Sequence, residues 1–263
     1  MFRYRKLYAD LVTDSGEVCI AYVACLELLG VASHSAGYEY YAPDGSRRVV
    51  RASSRAEVRH DARGLSIAFA TPHGAFSYQL AADSAGRAGT RHEVSPALSW
   101  QVLLHARKAR ITGSSGISER SGAGYSDRVE MTAPPRTLGL AELAWGRGGR
   151  DGRGFVFTRA QFRDGRTFQS ALVDGNESSA LALNRLGTER LQLGSGPASF
   201  ELRDERVIHE GPALDVARFP SRAERWLARA LSGPMQEVRA LARFVAADGS
   251  DGFALHERVQ FGS

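Results

Sequence analysis

Short runs of alternating apolar and polar residues follow one another along almost the whole chain, and turn residues separate them. In the N-terminal half, each of the turns TDSG and PDGS lies between two such runs. The runs on either side of TDSG are KLYADLV and EVCIAYVACLELL. Alternation places successive side chains on opposite faces, which is the geometry of a strand that is buried on one side. Runs at roughly ten-residue spacing therefore predict an all-β chain of antiparallel strands.

The second half repeats this rhythm with one interruption and one exception. The adjacent prolines of MTAPPRTLGL would break any strand pairing, which predicts a boundary between two domains, 1–138 and 139–263. Ser221–Leu231 has apolar residues at helical intervals, with Ser221 as N-cap, and predicts one short helix near the C-terminus. Dinucleotide, phosphate-loop, zinc-protease and nucleophile-elbow motifs are absent. We therefore expect two antiparallel β-barrels or sandwiches rather than a doubly wound sheet.

Composition narrows the possible partners. The 263 residues carry a net charge of +5, but arginines and acids alternate, and no basic block with interleaved aromatic residues indicates nucleic-acid binding. Only Lys6 and Lys108 are lysines. The longest apolar runs are far too short to span a bilayer and no secretory signal is visible, so we expect a cytoplasmic protein. Peripheral membrane contact is compatible with the sequence, which does not define the oligomeric state.

The cysteines and histidines give no sign of a metal or cofactor. Cys19 and Cys25 share one predicted strand and lie too far apart for a disulfide. No Cys and His cluster has zinc-binding spacing. Six of the seven histidines lie in predicted loops or on faces predicted to be wet: His34, His60, His73, His92, His105 and His209. We expect no metal and no cofactor.

The segment GAGYSDRVEM, Gly122–Met131, has the most informative pattern. As a strand it sends four side chains to one face and three to the other. The second face is predicted to be solvent-exposed and carries Ser126, Arg128 and Glu130. The first face is apolar except for a carboxylate and a phenol, and consists of Tyr125, Asp127, Val129 and Met131. An earlier strand is predicted to line the same cavity with Leu98, Trp100, Val102 and Leu104.

An acid on an apolar face has a specific chemical use. Burial disfavours the anion, so Asp127 would keep its proton and act as a general acid near neutral pH. Tyr125 would orient the carboxyl by a hydrogen bond, and the face of Trp100 would stabilise a carbocation. The sequence is also compatible with purely structural roles for these residues. Asp127 would then pair with one of the many arginines, and Trp100 and Tyr125 would be ordinary core residues.

Three segments, in order, resemble a known family. They are KLYADLVTDSGEVCIAYVA near the start, GYSDRVEMTAPPRTLGLAELAWGR in the middle and ALHERVQFG at the end. They are similar to the lipocalin-like carotenoid 1,2-hydratases, or hydroxyneurosporene synthases. Tocopherol cyclases, AttH-type proteins and two-domain fungal Diels–Alderases are more distantly similar. The resemblance covers the whole chain and implies two lipocalin-like β-barrel domains with an apolar ligand cavity between or inside them.

The resemblance also implies roles for particular residues. In the hydratases, an Asp of a Tyr-x-Asp pattern is thought to protonate a terminal isoprenoid double bond, and water then captures the cation. The matching residues are Tyr125 and Asp127, and Trp100 stands where the hydratases have a Trp. Leu98 stands where they have a His, and the Asn that often follows their Asp is absent. A drier pocket would favour intramolecular capture of the cation, which is cyclisation.

Other residues complete the predicted site. The expected substrate contacts are Leu98, Val129, Met131, Tyr8, Asp10, Trp145, Arg147 and Glu257. Asp10 is a second candidate acid, but its closeness to the TDSG turn favours a structural role. Arg147 is expected to brace the domain junction or to meet an acidic ligand. His256 and Glu257 point to opposite faces of the closing strand, and the resemblance supports Glu257 as the inward one.

Three functions follow as hypotheses. The first is a cofactor-free cyclase or hydratase that uses Asp127 to protonate a double bond, an epoxide or a carbonyl of an isoprenoid- or polyene-like substrate. The second is a lipid- or pigment-binding carrier without chemistry. The third is a pericyclase that folds a reactive polyene against aromatic walls. All three predict a hydrophobic small molecule as the partner.

Overall fold

The chain forms two antiparallel β-sheets. The computed structural model describes residues 1–81, 91–113, 119–150, 153–174, 176–178, 183–185, 191–193, 200–213 and 222–262. Within these ranges, strands account for nearly all of the regular structure, and they pair in two separate sets. The prediction of an all-β, lipocalin-like fold is therefore confirmed.

The first sheet contains ten described strands from the N-terminal half of the chain. They are β1 (Phe2–Val12), β2 (Val18–Leu28), β3 (Val31–Tyr41), β4 (Arg47–Arg51), β5 (Glu57–Asp61), β6 (Gly64–Thr71), β7 (Gly74–Ala81), β8 (Arg91–Ser95), β9 (Leu98–Gly113) and β10 (Arg120–Met131). Their order is β4-β3-β2-β1-β10-β9-β7-β6-β5, and β8 pairs with β9. The Ser53 N–H, just after β4, donates to the Ala70 carbonyl of β6 at 2.8 Å, so the sheet curls back on itself.

The second sheet contains nine described strands and repeats this topology. They are β11 (Leu140–Arg150), β12 (Arg153–Phe162), β13 (Thr167–Val173), β14 (Asn176–Glu177), β15 (Leu183–Arg185), β16 (Leu191–Leu193), β17 (Phe200–Pro212), β18 (Met235–Ala246) and β19 (Asp251–Phe261). Their order is β14-β13-β12-β11-β19-β18-β17-β16-β15. In both sheets the first strand lies beside the last, which puts β1–β10 and β11–β19 at the two centres.

Most predicted strands are present, and the differences have local causes. The hairpins around TDSG and PDGS form as β1–β2 and β3–β4. Strand β8 was not predicted, because only Val94 of its five residues is buried and its single strand partner is β9. The runs ASFELRD and RVIHEG, predicted as separate strands, form the single strand β17, whose register shifts disturb the alternation.

Three buried apolar clusters hold the fold together. One lies within the first sheet and another within the second. The third joins the sheets, because it combines Tyr8, Trp100 and Tyr125 of the first with Trp145 and Leu255 of the second. The centre of the molecule is therefore a shared apolar interface between the two central strand pairs.

The linker and the helix agree with the sequence pattern. Pro135–Thr137 forms a short 3-10 turn between β10 and β11, where the strands change sheets. The boundary between domains 1–138 and 139–263 falls in this linker and stays a prediction. Helix α1 spans Arg222–Ser232, whereas Ser221, the predicted N-cap, lies outside the described residues.

The described helices are all too short or too polar to cross a bilayer. The side chain of Trp226 on α1 is 72% exposed. Peripheral membrane contact remains a prediction.

Candidate active site

Asp127 lies in the shared interface and its carboxylate accepts two hydrogen bonds on one oxygen. Trp100 Nε1 donates to Asp127 Oδ2 at 3.1 Å, and the Tyr125 hydroxyl donates to the same oxygen at 2.8 Å. Asp127 is 4% exposed, Trp100 5% and Tyr125 0%. The structure thus brings together the three residues predicted to be catalytic. Tyr125 makes the expected hydrogen bond to the acid, and Trp100, expected as an aromatic wall, is a second donor to it.

Burial makes Asp127 a weaker acid than an exposed carboxyl. It raises the pKa of Asp127 from its usual 3.8 to about 6, although the hydrogen bonds from Trp100 and Tyr125 favour the anion and act against this rise. Burial, followed by the charge of Asp127, also raises the pKa of Tyr125 well above its ordinary value, so Tyr125 remains a donor. A carboxyl that binds its proton more tightly than usual has a pKa suited to general acid catalysis near neutral pH.

Aromatic rings surround the acid. The Tyr125 ring stacks on that of Trp145 with centroids 5.6 Å apart, and the Tyr8 ring packs edge-on against Trp145 at 4.9 Å. Tyr8 is also the pairing partner of Asp127 between β1 and β10. This cluster, formed by Tyr8, Tyr125 and Trp145, contributes ring faces from both sheets, and such faces stabilise cations.

The apolar predicted contacts lie around this cluster. Leu98 is buried in the shared interface, while Val129 and Met131 pack against it and are partly buried. Val129 pairs with Trp100, and Met131 pairs with Leu98. Asp127 therefore lies on one continuous apolar face that β9 and β10 form together.

Two details of β9 and β10 differ from the sequence-based expectation. Ser126, predicted to be wet, is fully buried, and its hydroxyl donates to the Tyr8 carbonyl at 2.8 Å. Leu104, predicted to share the face of Trp100, instead packs with Leu103 in the core of the first sheet. A β-bulge causes the difference at Leu104, since Ser126 pairs with Leu104 but Asp127 pairs with Val102, so Leu103 is an extra residue. Ser126 is buried because both faces of β10 are covered from Gly124 to Asp127.

Asp10 and Arg147 form a fully buried ion pair between the sheets. Arg147 Nη2 contacts Asp10 Oδ1, and both side chains are 0% exposed. Burial raises the pKa of Asp10, and the Arg147 charge opposes this shift. The Asp10 side chain pairs with Arg147, whereas in the TDSG turn the Thr13 hydroxyl accepts from the Glu17 N–H. The Arg147 side chain connects β11 of the second sheet with β1 of the first through this ion pair.

Glu257 belongs to a buried ion cluster around Arg239 that was not predicted. Arg239 Nε donates to Glu257 at 3.0 Å, and Nη1 donates to Glu39 at 3.1 Å and to the Tyr41 hydroxyl at 2.9 Å. Glu237 lies 2.5 Å from Nη2. Burial, with a contribution from Glu257, raises the pKa of Glu237 to about 7 against the opposing charge of Arg239. The sequence does contain a signal for this cluster. Two charged residues, Glu237 and Arg239, share a face of β18 with the buried Leu241.

Two histidines that were predicted to be solvent-exposed are partly or fully buried. His92 is half-buried and stacks on Trp100 with centroids 5.6 Å apart, and its Nε2 lies 3.2 Å from the Ser170 hydroxyl of the second sheet. His209 is 9% exposed, and its Nδ1 accepts from Arg47 at 3.1 Å. Burial and the Arg47 charge lower the pKa of His209, which keeps the ring neutral.

The described residues contain no group of three or more His, Cys, Asp or Glu side chains arranged to hold a metal ion. The cysteines are free: Cys19 is buried and Cys25 half-buried, both on β2.

Fold and site together describe an all-β, lipocalin-like protein with a buried acid where its two sheets meet. Solved structures share this fold over 99% of the chain. CghA, crystallised with Sch210972, is 14% identical with a TM-score of 0.62 over 89% of its own chain. A putative AttH from Nitrosomonas europaea is 10% identical, with a TM-score of 0.61 over 93% of its chain. Kievitone hydratase from Nectria haematococca is 11% identical, with a TM-score of 0.50 over 89% of its chain.

These TM-scores show a common fold, and enzymes occur among the proteins that have it, as the name of kievitone hydratase states. A scan against models of protein families found no match, and neither did a search of curated proteins.

Proposed function

We propose that the protein is a cofactor-free enzyme that protonates a hydrophobic, isoprenoid- or polyene-like small molecule through Asp127. The observation that carries this proposal is a carboxyl, 4% exposed, whose pKa is raised to about 6 while two side-chain donors fix one of its oxygens. A structural aspartate would more often be paired with an arginine. The described contacts of Asp127 are instead neutral donors, Trp100 and Tyr125.

The chemistry uses the acid once as donor and once as acceptor. The Asp127 carboxyl transfers its proton to an alkene carbon, and the electron pair of the double bond forms the new C–H bond. The tertiary cation that remains lies against the aromatic rings. Water addition, followed by return of a proton to the Asp127 carboxylate, gives hydration. Attack by a second double bond, followed by loss of a proton to the same carboxylate, gives cyclisation.

Deuterium incorporation tests this role directly. Acyclic isoprenoids and polyenes with a terminal double bond would be incubated with the protein in D2O. We expect deuterated product from the wild type and at least about 100-fold slower turnover by Asp127→Asn, because general acid catalysis contributes about that much. Asp164→Asn is the matched control, since Asp164 is exposed in the turn after β12 and accepts from the Arg166 N–H.

The outcomes separate the hypotheses. Incorporation of oxygen from H2(18)O indicates hydration, and its absence from a rearranged product indicates cyclisation. A folded Asp127→Asn variant with full turnover would refute the acid role and leave a pericyclase. An apolar molecule that co-purifies unchanged and is never turned over would favour the carrier.

A further inference from the structure

Lys6 is set apart from the other basic residues by its type and by its place. It is one of two lysines among 34 basic residues, and it lies on β1 next to Tyr8 of the shared interface. Its pairing partner is Val129, while Tyr8 pairs with Asp127. Lys6 and Asp127 are therefore diagonal neighbours on one face of the sheet, a relation that separates residues by roughly 7–8 Å.

The ammonium of Lys6 lies beside this site, and no described residue forms a hydrogen bond with it. Nζ lies 5.6 Å from the centroid of the Tyr8 ring, and it makes no hydrogen bond with any residue that the structure describes. The side chain is half-buried, as are the adjacent Val129 and Met131. An ammonium whose donors have no partner among the described residues, beside an apolar face, has the chemistry of an anion-binding group.

The surroundings of Lys6 favour its charged form. Burial disfavours the ammonium, but Tyr4, Glu257 and Glu237 outweigh it and raise the pKa of Lys6 above its usual value. The positive charge of Arg239 acts in the opposite direction. Lys6 therefore remains a cation at neutral pH beside the proposed acid.

We propose that Lys6 anchors an oxygen anion, a carboxylate or an enolate, at one end of an otherwise apolar substrate. This inference rests on the proposed function for the identity of the site, and it defines the substrate class more narrowly as an amphipathic acid. A charged hydrogen bond to Lys6 would place the anionic end two residues along the strand from Asp127. The apolar remainder would then lie over the aromatic cluster, within reach of the acid.

Binding of two matched probes tests the anchor without any need for turnover. Decanoate and decanol have the same chain, and only decanoate carries an anion. We expect the wild type to bind decanoate at least about tenfold more tightly, as a charged hydrogen bond implies. Lys6→Met should reduce this ratio to about one, and Lys6→Arg should retain a preference. Lys108→Met is the control, because Lys108 is exposed on β9.

The small number of lysines allows a second measurement on the unmodified chain. Protein labelled with (15)N at lysine Nζ gives signals from only Lys6 and Lys108. Decanoate should shift the Lys6 signal saturably and leave that of Lys108 in place. A wild type without a decanoate preference, an undiminished preference in Lys6→Met, or equal shifts of both signals would overturn the anchor. Asp127→Asn should keep the preference, so failure of the acid and failure of the anchor are distinguishable.

Discussion

At the scale of single residues, the molecule maintains an unfavourable charge at Asp127. Trp100 and Tyr125 both donate to the carboxylate, yet burial outweighs them and the pKa rises to about 6. A folded-state pKa above the unfolded value of about 3.8 means that the folded protein binds more protons between these two values. Stability from this group is therefore fully present below about pH 4 and is lost as the pH rises through about 6.

The substitution Asp127→Asn should consequently stabilise the protein in alkaline conditions. Asn keeps an oxygen for Trp100 and Tyr125 but carries no charge to bury. We expect its free energy of unfolding at pH 8 to exceed that of the wild type by up to on the order of 3 kcal/mol, and the difference to shrink toward pH 4. Urea unfolding of both proteins at each pH measures it. A difference that stays constant with pH would mean that Asp127 titrates like an exposed aspartate.

The sequence revealed the acid but not all of its surroundings. Alternation along GAGYSDRVEM placed Tyr125 and Asp127 on one apolar face, and the structure confirms that face. It misplaced Leu104, because a β-bulge at Leu103 changes the register and alternation cannot indicate where an extra residue is inserted. It also assigned Ser126 to a solvent-exposed face, whereas both faces of β10 are buried from Gly124 to Asp127.

At the scale of elements, β8 packs against Trp100, the residue that donates to Asp127. The strand is short and mostly polar, so its sequence gave no alternating signal, yet it holds His92 against the Trp100 ring at 5.6 Å. His92 also meets Ser170 of β13 at 3.2 Å. One edge strand therefore connects the indole that donates to Asp127 with the second sheet.

Removal of the His92 ring should weaken this connection measurably. We expect His92→Ala to lower the free energy of unfolding by about 1 kcal/mol, as loss of one aromatic pair implies, and to shift Trp100 fluorescence toward the red. His92→Phe should retain most of the stability because it keeps the stacked ring. His34→Ala is the control, since His34 is exposed on β3. Equal stability of His92→Ala and the wild type would show that β8 does not support Trp100.

At the scale of the whole molecule, two buried charge networks connect the sheets. Asp10 of the first sheet pairs with Arg147 of the second, and Glu39 of the first pairs with Arg239 of the second. Loss of one partner from such a pair leaves a buried charge unpaired, which is costly. The networks therefore favour a single relative placement of the sheets, with Asp127 between them.

These networks show the limit of what one sequence predicts. Turn residues and alternation indicated two antiparallel sets of strands, because both signals are local. Glu39 and Arg239 are two hundred residues apart in the chain, and neither residue identifies its partner. The resemblance indicated the inward direction of Glu257, but the arginine that it meets became visible only in the folded chain.

The proposed role of Asp127 depends on a pKa above that of an exposed aspartate. Titration of protein labelled with (13)C at aspartate carboxyls, followed by NMR and assigned with Asp127→Asn, measures that pKa without a substrate. We expect a midpoint at about pH 6 for the Asp127 signal. A midpoint at or below the usual 3.8 would contradict it and remove the basis for proton transfer at this site.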